Sequence, residues 1–308
     1  VFRQVKRKPR VVIAGAGPAG LFCALRLIDH GVAPVILERG KRVEERAEDI
    51  RKFTQTGVLD PDSNVQFGEG GAGAFSDGKL NTQTNDVRNR DVLDAFVRFG
   101  APEEVGYLGK PHVGSDNLKK VVANIRAYIQ EHGGEFRFSE QLTDVRIRDG
   151  RLAEIVTTRG SEPCDELVLA VGHSARDTFE MLLSRGFVIE QKEFAVGVRM
   201  EHLQEKIGRA QYGAGYAALP PADYKLVSHA SDRGVFTFCM CPGGVVIPAA
   251  SEEGGVVTNG MSDFARAGRN ANSALVVQVF RSDFGSEHPL AGVQFQRKLE
   301  RAACAAAG

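Results

Sequence analysis

The sequence predicts an α/β fold in which a helix-covered parallel sheet is followed by a mainly antiparallel part. A β-branched run at residues 11–14 leads into a glycine turn and then into apolar residues at helical spacing. A second short strand at residues 35–37 completes a strand–helix–strand unit, whose two strands are expected to be parallel. From residue 195 onward, short alternating segments between glycine, proline and serine turns are typical of antiparallel strands.

The remaining elements follow from the spacing of apolar residues. Residues 41–53 are mostly charged, which predicts a solvent-facing helix. Residues 62–80 form a polar, glycine-rich loop that is far longer than a connection requires. A second long helix is predicted over 115–132, because its aliphatic residues fall on one face and a Gly-Gly pair ends it. Strands are predicted at 135–138, 141–148, 151–158, 165–171, 195–201, 235–241 and 244–250, and the part with the parallel sheet is expected to include a β-meander.

A capping box is predicted at the start of one further helix. Ser174 and Asp177 are three residues apart, so that the hydroxyl and the carboxylate can each satisfy a free amide of the first turn. We therefore expect a helix that begins at this pair and ends near Gly186.

Composition excludes several classes of protein. The 308 residues carry 39 basic and 39 acidic side chains, so no overall field favours nucleic acid or an anionic membrane. No run reaches the roughly 18 apolar residues that span a bilayer. The five cysteines are sparse and odd in number, which favours reduced thiols and a cytoplasmic location. The length predicts two connected domains, and no group of histidines and cysteines has metal-ligand spacing.

The turn after the first strand carries a G-x-G-x-x-G motif. Gly15 permits a tight turn, Gly17 lets the backbone approach a pyrophosphate, and Gly20 lets the helix pack close to the strand. The helix N-terminus favours an anion. Glu38, at the end of the second strand, is placed to accept hydrogen bonds from adenosine ribose hydroxyls. This combination predicts a dinucleotide site; the alternative is a glycine-rich turn beside a surface Glu.

Longer motifs carry a family resemblance. Gly17-Pro18-Ala19-Gly20-Leu21 and Glu38-Arg39-Gly40 resemble the first motif of flavoproteins of the glutathione-reductase type. Four further blocks are similar to those of bacterial FAD-dependent dehydrogenases, namely NVQFGEGGAG at 64–73, FSDGKL at 75–80, AVGHSARD at 170–177 and FCMCPGG at 238–244.

The resemblance implies FAD as cofactor and an oxidoreductase that passes electrons or hydride between a small substrate and the flavin. It also implies an FAD-binding domain at 1–194, a substrate domain at 195–290 and a return segment to the FAD domain at 291–308. The expected partners are a small-molecule substrate and a nicotinamide or other electron donor. Family members are longer, so the chain is expected to be a fragment without a C-terminal segment that closes over the flavin.

The resemblance also implies cofactor contacts beyond the first motif. Gly172 ends an apolar strand of a kind that passes beside the flavin, and Leu142 is implied to contact the adenine through its backbone, with an ordinary core leucine as the alternative. The glycine-rich loop offers amides that can form a nest around phosphate or lie against the flavin; a surface loop is the alternative. The cofactor-binding residues expected in and beside the two motifs are Pro18, Ala19, Arg39, Gly70, Gly71, Gly73, Asp77, Gly78 and Lys79.

Five residues are candidates for catalysis. Lys79 can place positive charge near a reduced flavin. His112 and His173 have the chemistry of a general acid or base, although a lone histidine is more often structural. Cys239 and Cys241 are expected on one face of a strand, with an extended backbone that is unfavourable for a disulfide. Buried small hydrophobic residues and a thiol site near the flavin are the two interpretations of this pair.

Two rival functions remain open at this point. One is a non-catalytic module that binds FAD or another nucleotide, and the other is a dehydrogenase that uses NAD alone. The second glycine-rich loop argues against the NAD-only alternative.

Overall fold

The computed structural model describes residues 9–82, 84–229 and 232–307 of the chain. Most of the basic opening stretch lies outside the described residues. Within the described part, no helix is long and apolar enough to cross a lipid bilayer.

The chain divides into two compact units. The first unit comprises the described residues up to Ala74 together with Lys119–Val188. The second unit comprises Phe75–Leu118 and the described residues from Ile189 onward. The separate roles that the resemblance implies for an FAD domain and a substrate domain stay predictions.

The described residues form the following regular elements. The strands are β1 (Val11–Ala14), β2 (Val35–Glu38), β3 (Glu135–Phe138), β4 (Leu142–Arg148), β5 (Arg151–Thr157), β6 (Gly160–Pro163), β7 (Glu166–Leu169), β8 (Phe194–Leu203), β9 (Val227–Ser228), β10 (Val235–Cys241), β11 (Val245–Pro248), β12 (Thr258–Met261) and β13 (Asn270–Val279). The α-helices are α1 (Pro18–Asp29), α2 (Val43–Thr56), α3 (Arg88–Arg98), α4 (Ser115–Glu131), α5 (Arg176–Ser184), α6 (Gln204–Tyr212) and α7 (Ala291–Ala307).

The first unit contains a four-stranded parallel sheet in the order β3-β2-β1-β7. Strand β1 pairs in parallel with both β2 and β7, and every residue of Val11–Ala14 is buried. A β-branched run that is buried throughout is expected for an inner strand of a parallel sheet, because such a sheet is covered on both faces. The parallel sheet predicted from the sequence is confirmed.

A three-stranded antiparallel meander, formed by β4, β5 and β6, shares its core with the parallel sheet. Val12 and Leu37 of the parallel sheet pack in one buried cluster with Leu142, Val145 and Ile155 of the meander. The first residue of β4 is therefore held beside the carboxyl end of β2, where ligands of parallel sheets commonly bind.

The second unit is mainly antiparallel, as predicted. Its four-stranded sheet has the order β8-β13-β10-β9, and β8 pairs with β13 along the whole of both strands. Strands β11 and β12 form a separate two-stranded sheet. The α/β fold class, with one parallel sheet and further antiparallel sheets, is confirmed.

The predicted capping box is wrong. Helix α5 begins at Arg176 with Ala175 at the N-cap position, and no side-chain hydrogen bond caps it. The Asp177 carboxylate instead accepts hydrogen bonds from Arg39 and Gln141. Arg39, a charged donor from another segment, thus binds the carboxylate that the capping box required.

Three helices were not predicted from the sequence. Helices α3, α6 and α7 each bury a single residue, respectively Phe96, Gly208 and Ala291.

Candidate functional site

The turn between β1 and α1 requires glycine at two positions. Gly15 has a φ of +107°, and a Cβ at this residue would overlap the carbonyl of Ala170, which follows β7. A Cβ on Gly20 would overlap the carbonyl oxygen of Gly15. The tight turn and the close approach of α1 to the sheet are therefore possible only without side chains at these residues.

Gly17, the middle glycine of the motif, has open space next to it. It is the N-cap residue of α1, with Pro18 following at the first helical position, and no side chain caps this end of the helix. The amides and the dipole of the first turn therefore remain available to an anion. A Cβ on Gly17 would meet only the Cα of Gly71, at 3.7 Å.

The carboxylate of Glu38 connects three loops. Its side chain is buried and accepts hydrogen bonds from the amides of Ala16 (2.8 Å), Gly40 (2.9 Å) and Gly68 (3.0 Å). These amides belong to the glycine turn, the segment after β2 and the long glycine-rich loop. Glu38 thus fixes the second loop against the first, and hydrogen bonds from a ribose stay a prediction.

The guanidinium of Arg46 holds the glycine-rich loop from inside. The side chain is fully buried and donates hydrogen bonds to the carbonyls of Asn64 (2.6 Å), Val65 (2.8 Å), Glu69 (2.7 Å) and Gly68 (3.3 Å). Burial lowers the pKa of Arg46 to about 10, so that it remains charged at neutral pH. One side chain therefore satisfies the carbonyls of a segment that has no strand or helix partner.

This contact corrects the prediction that the helix over residues 41–53 faces solvent. Helix α2 is present, but Arg46 points into the unit, with Val43 and Ile50 also buried. A Cβ on Gly68 would overlap the Arg46 side chain, so glycine is required there for close approach as well as for its φ of +121°.

Glu69 is a buried acid behind this loop. One carboxylate oxygen accepts hydrogen bonds from the Val43 amide (2.9 Å) and from Arg126 (2.6 Å), while Oε1 has no hydrogen-bond partner among the described residues. Burial raises the pKa of Glu69 to about 7, although Arg126 acts in the opposite direction. The group is therefore poised to change charge near neutral pH.

These loops border a cleft of about 460 Å³ in the first unit, a volume typical of small-molecule sites. The structure brings many of the predicted residues together here. The predicted residues that line the cleft are Gly15, Gly17, Pro18, Ala19, Glu38, Arg39, Gly71, Leu142, Gly172 and His173.

Two predicted glycines of the long loop lie next to this cleft without lining it. The Gly70 amide donates to the Ala16 carbonyl at 2.8 Å, and a Cβ on Gly70 would meet Ala74 and Val122. Gly73 lies near Pro18, because a Cβ on Gly73 would be 3.8 Å from the proline ring. Both therefore help to pack the second loop against the first.

One side of the cleft contains a contact that sequence reasoning missed. Arg39 donates hydrogen bonds to both oxygens of Asp177 (2.8 and 2.7 Å) and lies over the ring of Phe67, 4.2 Å from its centre. Gln141 also donates to Asp177, at 2.6 Å. Phe67 and Gln141 line the cleft, and only the position of Phe67 in the glycine-rich loop offered a signal for either.

Asp77, Gly78 and Lys79 lie in the second unit. Asp77 is buried and accepts hydrogen bonds from Arg266 and Ser262, and it forms an ion pair with Lys79 at 2.9 Å. Burial would raise the pKa of Asp77, but the hydrogen bond from Arg266 and the charge of Lys79 outweigh it and hold that pKa at about 2. The predicted cofactor contacts of these three residues stay predictions.

The two histidine candidates have different surroundings. His112 lies in the second unit, where its Nε2 is 2.9 Å from the Phe264 carbonyl oxygen and its ring stacks on that of Phe264. His173 borders the cleft of the first unit. Among the described residues, no cluster of histidine, cysteine or acidic side chains could hold a metal ion.

The prediction that Cys239 and Cys241 share one face of an extended strand is wrong. Cys239 has a φ of +48°, and the pairing of β10 with β13 shifts register between Phe238 and Cys241. Met240 and Cys241 are consequently both buried, while Phe238 is exposed. Because the backbone at Cys239 is left-handed and not extended, the objection to a disulfide that rests on an extended strand does not apply.

Comparison with known proteins identifies the cofactor. Residues 193–308 match the family model described as FAD-dependent protein, C-terminal domain-like, which supports a FAD-dependent family. The cofactor of this chain is FAD. This finding sets aside the NAD-only alternative.

The chain is also similar to individual proteins. It is 52% identical over 297 residues to an uncharacterized protein of Clostridium beijerinckii, a match that covers 95% of this chain and 56% of that protein. The chain therefore spans little more than half the length of this relative.

Solved structures that show limited similarity to this chain include those of FAD-bound CtdE, the tetracycline destructase Tet(51) and a variant of the amino acid oxidase NikD. CtdE gives a TM-score of 0.36 at 15% identity over 89% of this chain and 60% of that one. Tet(51) gives a TM-score of 0.42 at 11% identity over 95% of this chain and 63% of that one. NikD gives a TM-score of 0.41 at 14% identity over 92% of this chain and 72% of that one. Likeness at this level does not define an activity.

The residues of the cleft fit the ADP half of FAD. An uncapped helix N-terminus suits an anionic pyrophosphate, and the space next to Gly17 is free of side chains. The rest of the lining is mostly apolar and includes Ala14, Leu37 and Leu142.

We expect that replacing Arg46 by Met lowers the free energy of unfolding by about 3–5 kcal/mol, because buried carbonyls lose their charged donor. Urea unfolding of the FAD-free protein measures this change. Arg51→Met, at an exposed position of the same helix, is the matched control and is expected to change stability by about 0.5 kcal/mol or less. Similar losses in the two variants would contradict the role of Arg46.

We expect a pH-dependent penalty from Glu69. Because its pKa rises from 4.5 to about 7 on folding, the native state keeps a proton that the unfolded chain loses between these values. Stability contributed by this group should therefore fall as pH rises from about 4.5 to 7, by an amount on the order of 3 kcal/mol.

Unfolding of the wild type and of Glu69→Gln across this pH range measures the difference. Glu44→Gln is the control, since a hydrogen bond from Arg126 lowers the pKa of Glu44 and its contribution has the opposite dependence on pH. Parallel curves for the wild type and Glu69→Gln would show that Glu69 does not titrate near neutrality.

Proposed function

We propose that the protein is a FAD-dependent oxidoreductase that transfers electrons or hydride between a small-molecule substrate and bound flavin. A nicotinamide is the proposed electron donor, and a dehydrogenase of the glutathione-reductase type is the proposed class. The second unit is proposed to contribute the substrate-binding part, and the sparse free cysteines favour a cytoplasmic location.

The observation that carries this proposal is the cleft of the first unit. There, the uncapped N-terminus of α1, the unobstructed Gly17 and the buried carboxylate of Glu38 border one space of about 460 Å³. In dinucleotide-binding folds, these are the features that receive a pyrophosphate and an adenosine ribose.

Individual residues take the following proposed roles. The amides after Gly17 bind the pyrophosphate, and Glu38 accepts a hydrogen bond from the ribose in addition to those from the backbone. Leu142 borders the adenine, while Gly172, with a φ of +74° and open space at its Cβ position, allows the cofactor to pass close to the backbone. When bound, FAD supplies the two-electron chemistry, and these residues bind and orient it.

A non-catalytic FAD-binding module is the alternative function. The two are distinguished by anaerobic reduction of the FAD-loaded protein, followed by absorbance of the oxidised flavin. Under the proposed function, NADH, NADPH or a reducing small-molecule substrate bleaches the flavin faster than it bleaches free FAD, and an electron acceptor restores the colour. A protein that holds FAD but gives no such acceleration with a broad panel of donors is the passive binder.

We expect that Gly17→Val lowers FAD affinity by about tenfold or more, equivalent to about 1.4 kcal/mol, while leaving the fold intact. Gly17 has an ordinary negative φ, and a Cβ there would make only an ordinary contact with the Cα of Gly71 at 3.7 Å, so the protein can accept the new side chain while the cofactor loses space. Fluorescence titration with FAD measures the affinity, and circular dichroism checks the fold.

Gly109→Val is the matched control for this variant. Gly109 also lacks a positive φ and has no heavy atom within 4 Å of a Cβ position, but it lies in the second unit. Unchanged FAD binding in a folded Gly17→Val protein would rule out this cleft as the pyrophosphate site.

A further inference from the structure

The two cysteines of the C-x-C sequence are brought together by the bulge in β10. Phe238 pairs with Ala274 and Cys241 with Asn272, so that two residues of β10 stand opposite one residue of β13. Cys239 adopts a left-handed backbone, which is uncommon for a residue with a side chain. The Cys241 thiol donates a hydrogen bond to the Cys239 carbonyl at 3.3 Å.

The two thiols differ in their access to solvent. Cys241 is fully buried, whereas Cys239 is only partly buried. A reagent from solution can therefore reach Cys239 first. A redox-active dithiol needs this difference, because one sulfur attacks an external partner and the other then resolves the mixed disulfide.

Positive charge lies close to the pair. Lys79 donates a hydrogen bond to the carbonyl of Met240, between the two cysteines, and Arg199 donates to the carbonyl of Cys239 at 3.3 Å. Interaction with the Cys241 thiol, followed by the charges of Lys79 and Arg199, lowers the pKa of Cys239 against burial and the nearby charge of Asp77. These groups therefore favour the thiolate of Cys239.

The surroundings of Cys241 are closely packed and polar. Gly260 of β12 lies against it, and a Cβ at that glycine would come within 2.8 Å of the Cys241 sulfur. The buried Asn272 accepts a hydrogen bond from Arg199 at 2.7 Å through its Oδ1, while its Nδ2 has no partner among the described residues. Asn272 Oδ1 and an Arg199 guanidinium nitrogen lie within 2.8 Å of the same position, so polar groups lie beside this sulfur.

We propose that Cys239 and Cys241 form a redox-active dithiol that exchanges with low-molecular-weight disulfides. The Cys239 thiolate attacks one sulfur of the disulfide, forms a mixed disulfide and releases the first thiolate, which takes up a proton. Cys241 then loses its proton to solvent and attacks the Cys239 sulfur, which releases the second thiolate. The protein thiols lose two electrons and two protons, and the small disulfide gains both and becomes two thiols.

This activity lies beyond the proposed flavin chemistry and does not depend on it. All of the residues that carry it belong to the second unit, and the step needs no cofactor. Its failure in an experiment would leave the proposed FAD site untouched, and loss of FAD binding would leave the dithiol untouched.

The test is exposure of the reduced protein to oxidised glutathione without air, followed by acid quenching, alkylation and peptide mass mapping. In the wild type, we expect one reversible disulfide within the peptide that contains both residues. Cys241→Ser should instead accumulate a glutathione adduct on Cys239, and Cys239→Ser should form neither product on the same time scale. Cys304→Ser, which changes a partly buried cysteine of α7, is the matched control and should behave as the wild type.

The alkylation rate of the wild type provides a second reading that needs no variant. At pH 7, iodoacetamide should modify Cys239 about tenfold faster or more than Cys304, because the thiolate is the reacting form. If both cysteines of the pair stay fully alkylatable after glutathione treatment, or if a stable adduct persists on wild-type Cys239, the dithiol assignment is overturned. Equal alkylation rates at Cys239 and Cys304 would overturn the attacking role of Cys239.

Discussion

The buried guanidinium of Arg46 is the interaction on which the cleft of the first unit depends. The loop that it holds has no strand to pair with, and yet its carbonyls are buried, so each needs a donor from elsewhere. A single Arg supplies several donors in a rigid planar arrangement, and burying this charge is tolerable because it is so fully hydrogen-bonded. Glu38 acts on the same loop from the opposite side, through the amide of Gly68. Together, a cation that binds carbonyls and an anion that binds amides set the loop against the glycine turn.

This arrangement explains where the glycines are needed. Gly68 is required because the side chain of Arg46 lies against it, and Gly71 because it passes the Cα of Gly17 closely. Gly15 and Gly20 serve the turn itself. The glycines of the two loops therefore serve one purpose, which is to let the two backbones approach each other without side chains between them. The same approach leaves the N-terminus of α1 uncapped by protein, which is the condition for binding an external anion there.

Sequence reasoning predicted the parallel sheet, the antiparallel second part and ten of the residues that line the cleft, since these follow from local patterns. A β-branched run before G-x-G-x-x-G specifies strand, turn and helix within a few residues. What it missed depends on contacts between distant segments. Arg46 was predicted to face solvent because its acceptors lie in another loop. Asp177 was predicted to cap a helix because its partner Arg39 is far away in the chain. The bulge at Cys239 was missed because alternation assumes a regular ladder.

The two places where chemistry is proposed share one physical origin. At Cys239, a left-handed backbone costs about 1–3 kcal/mol and persists only if surrounding contacts outweigh it. Here those contacts are hydrogen bonds from Lys79 and Arg199 to the carbonyls of Met240 and Cys239. The cations that hold the irregular backbone are the same ones that favour a thiolate beside it. In the first unit, Arg46 holds irregular backbone in the same way, and the result is a space for an anion. Each unit thus uses a cation bound to main-chain carbonyls to keep a segment out of regular structure, and the freed segment is where reactivity or ligand binding becomes possible.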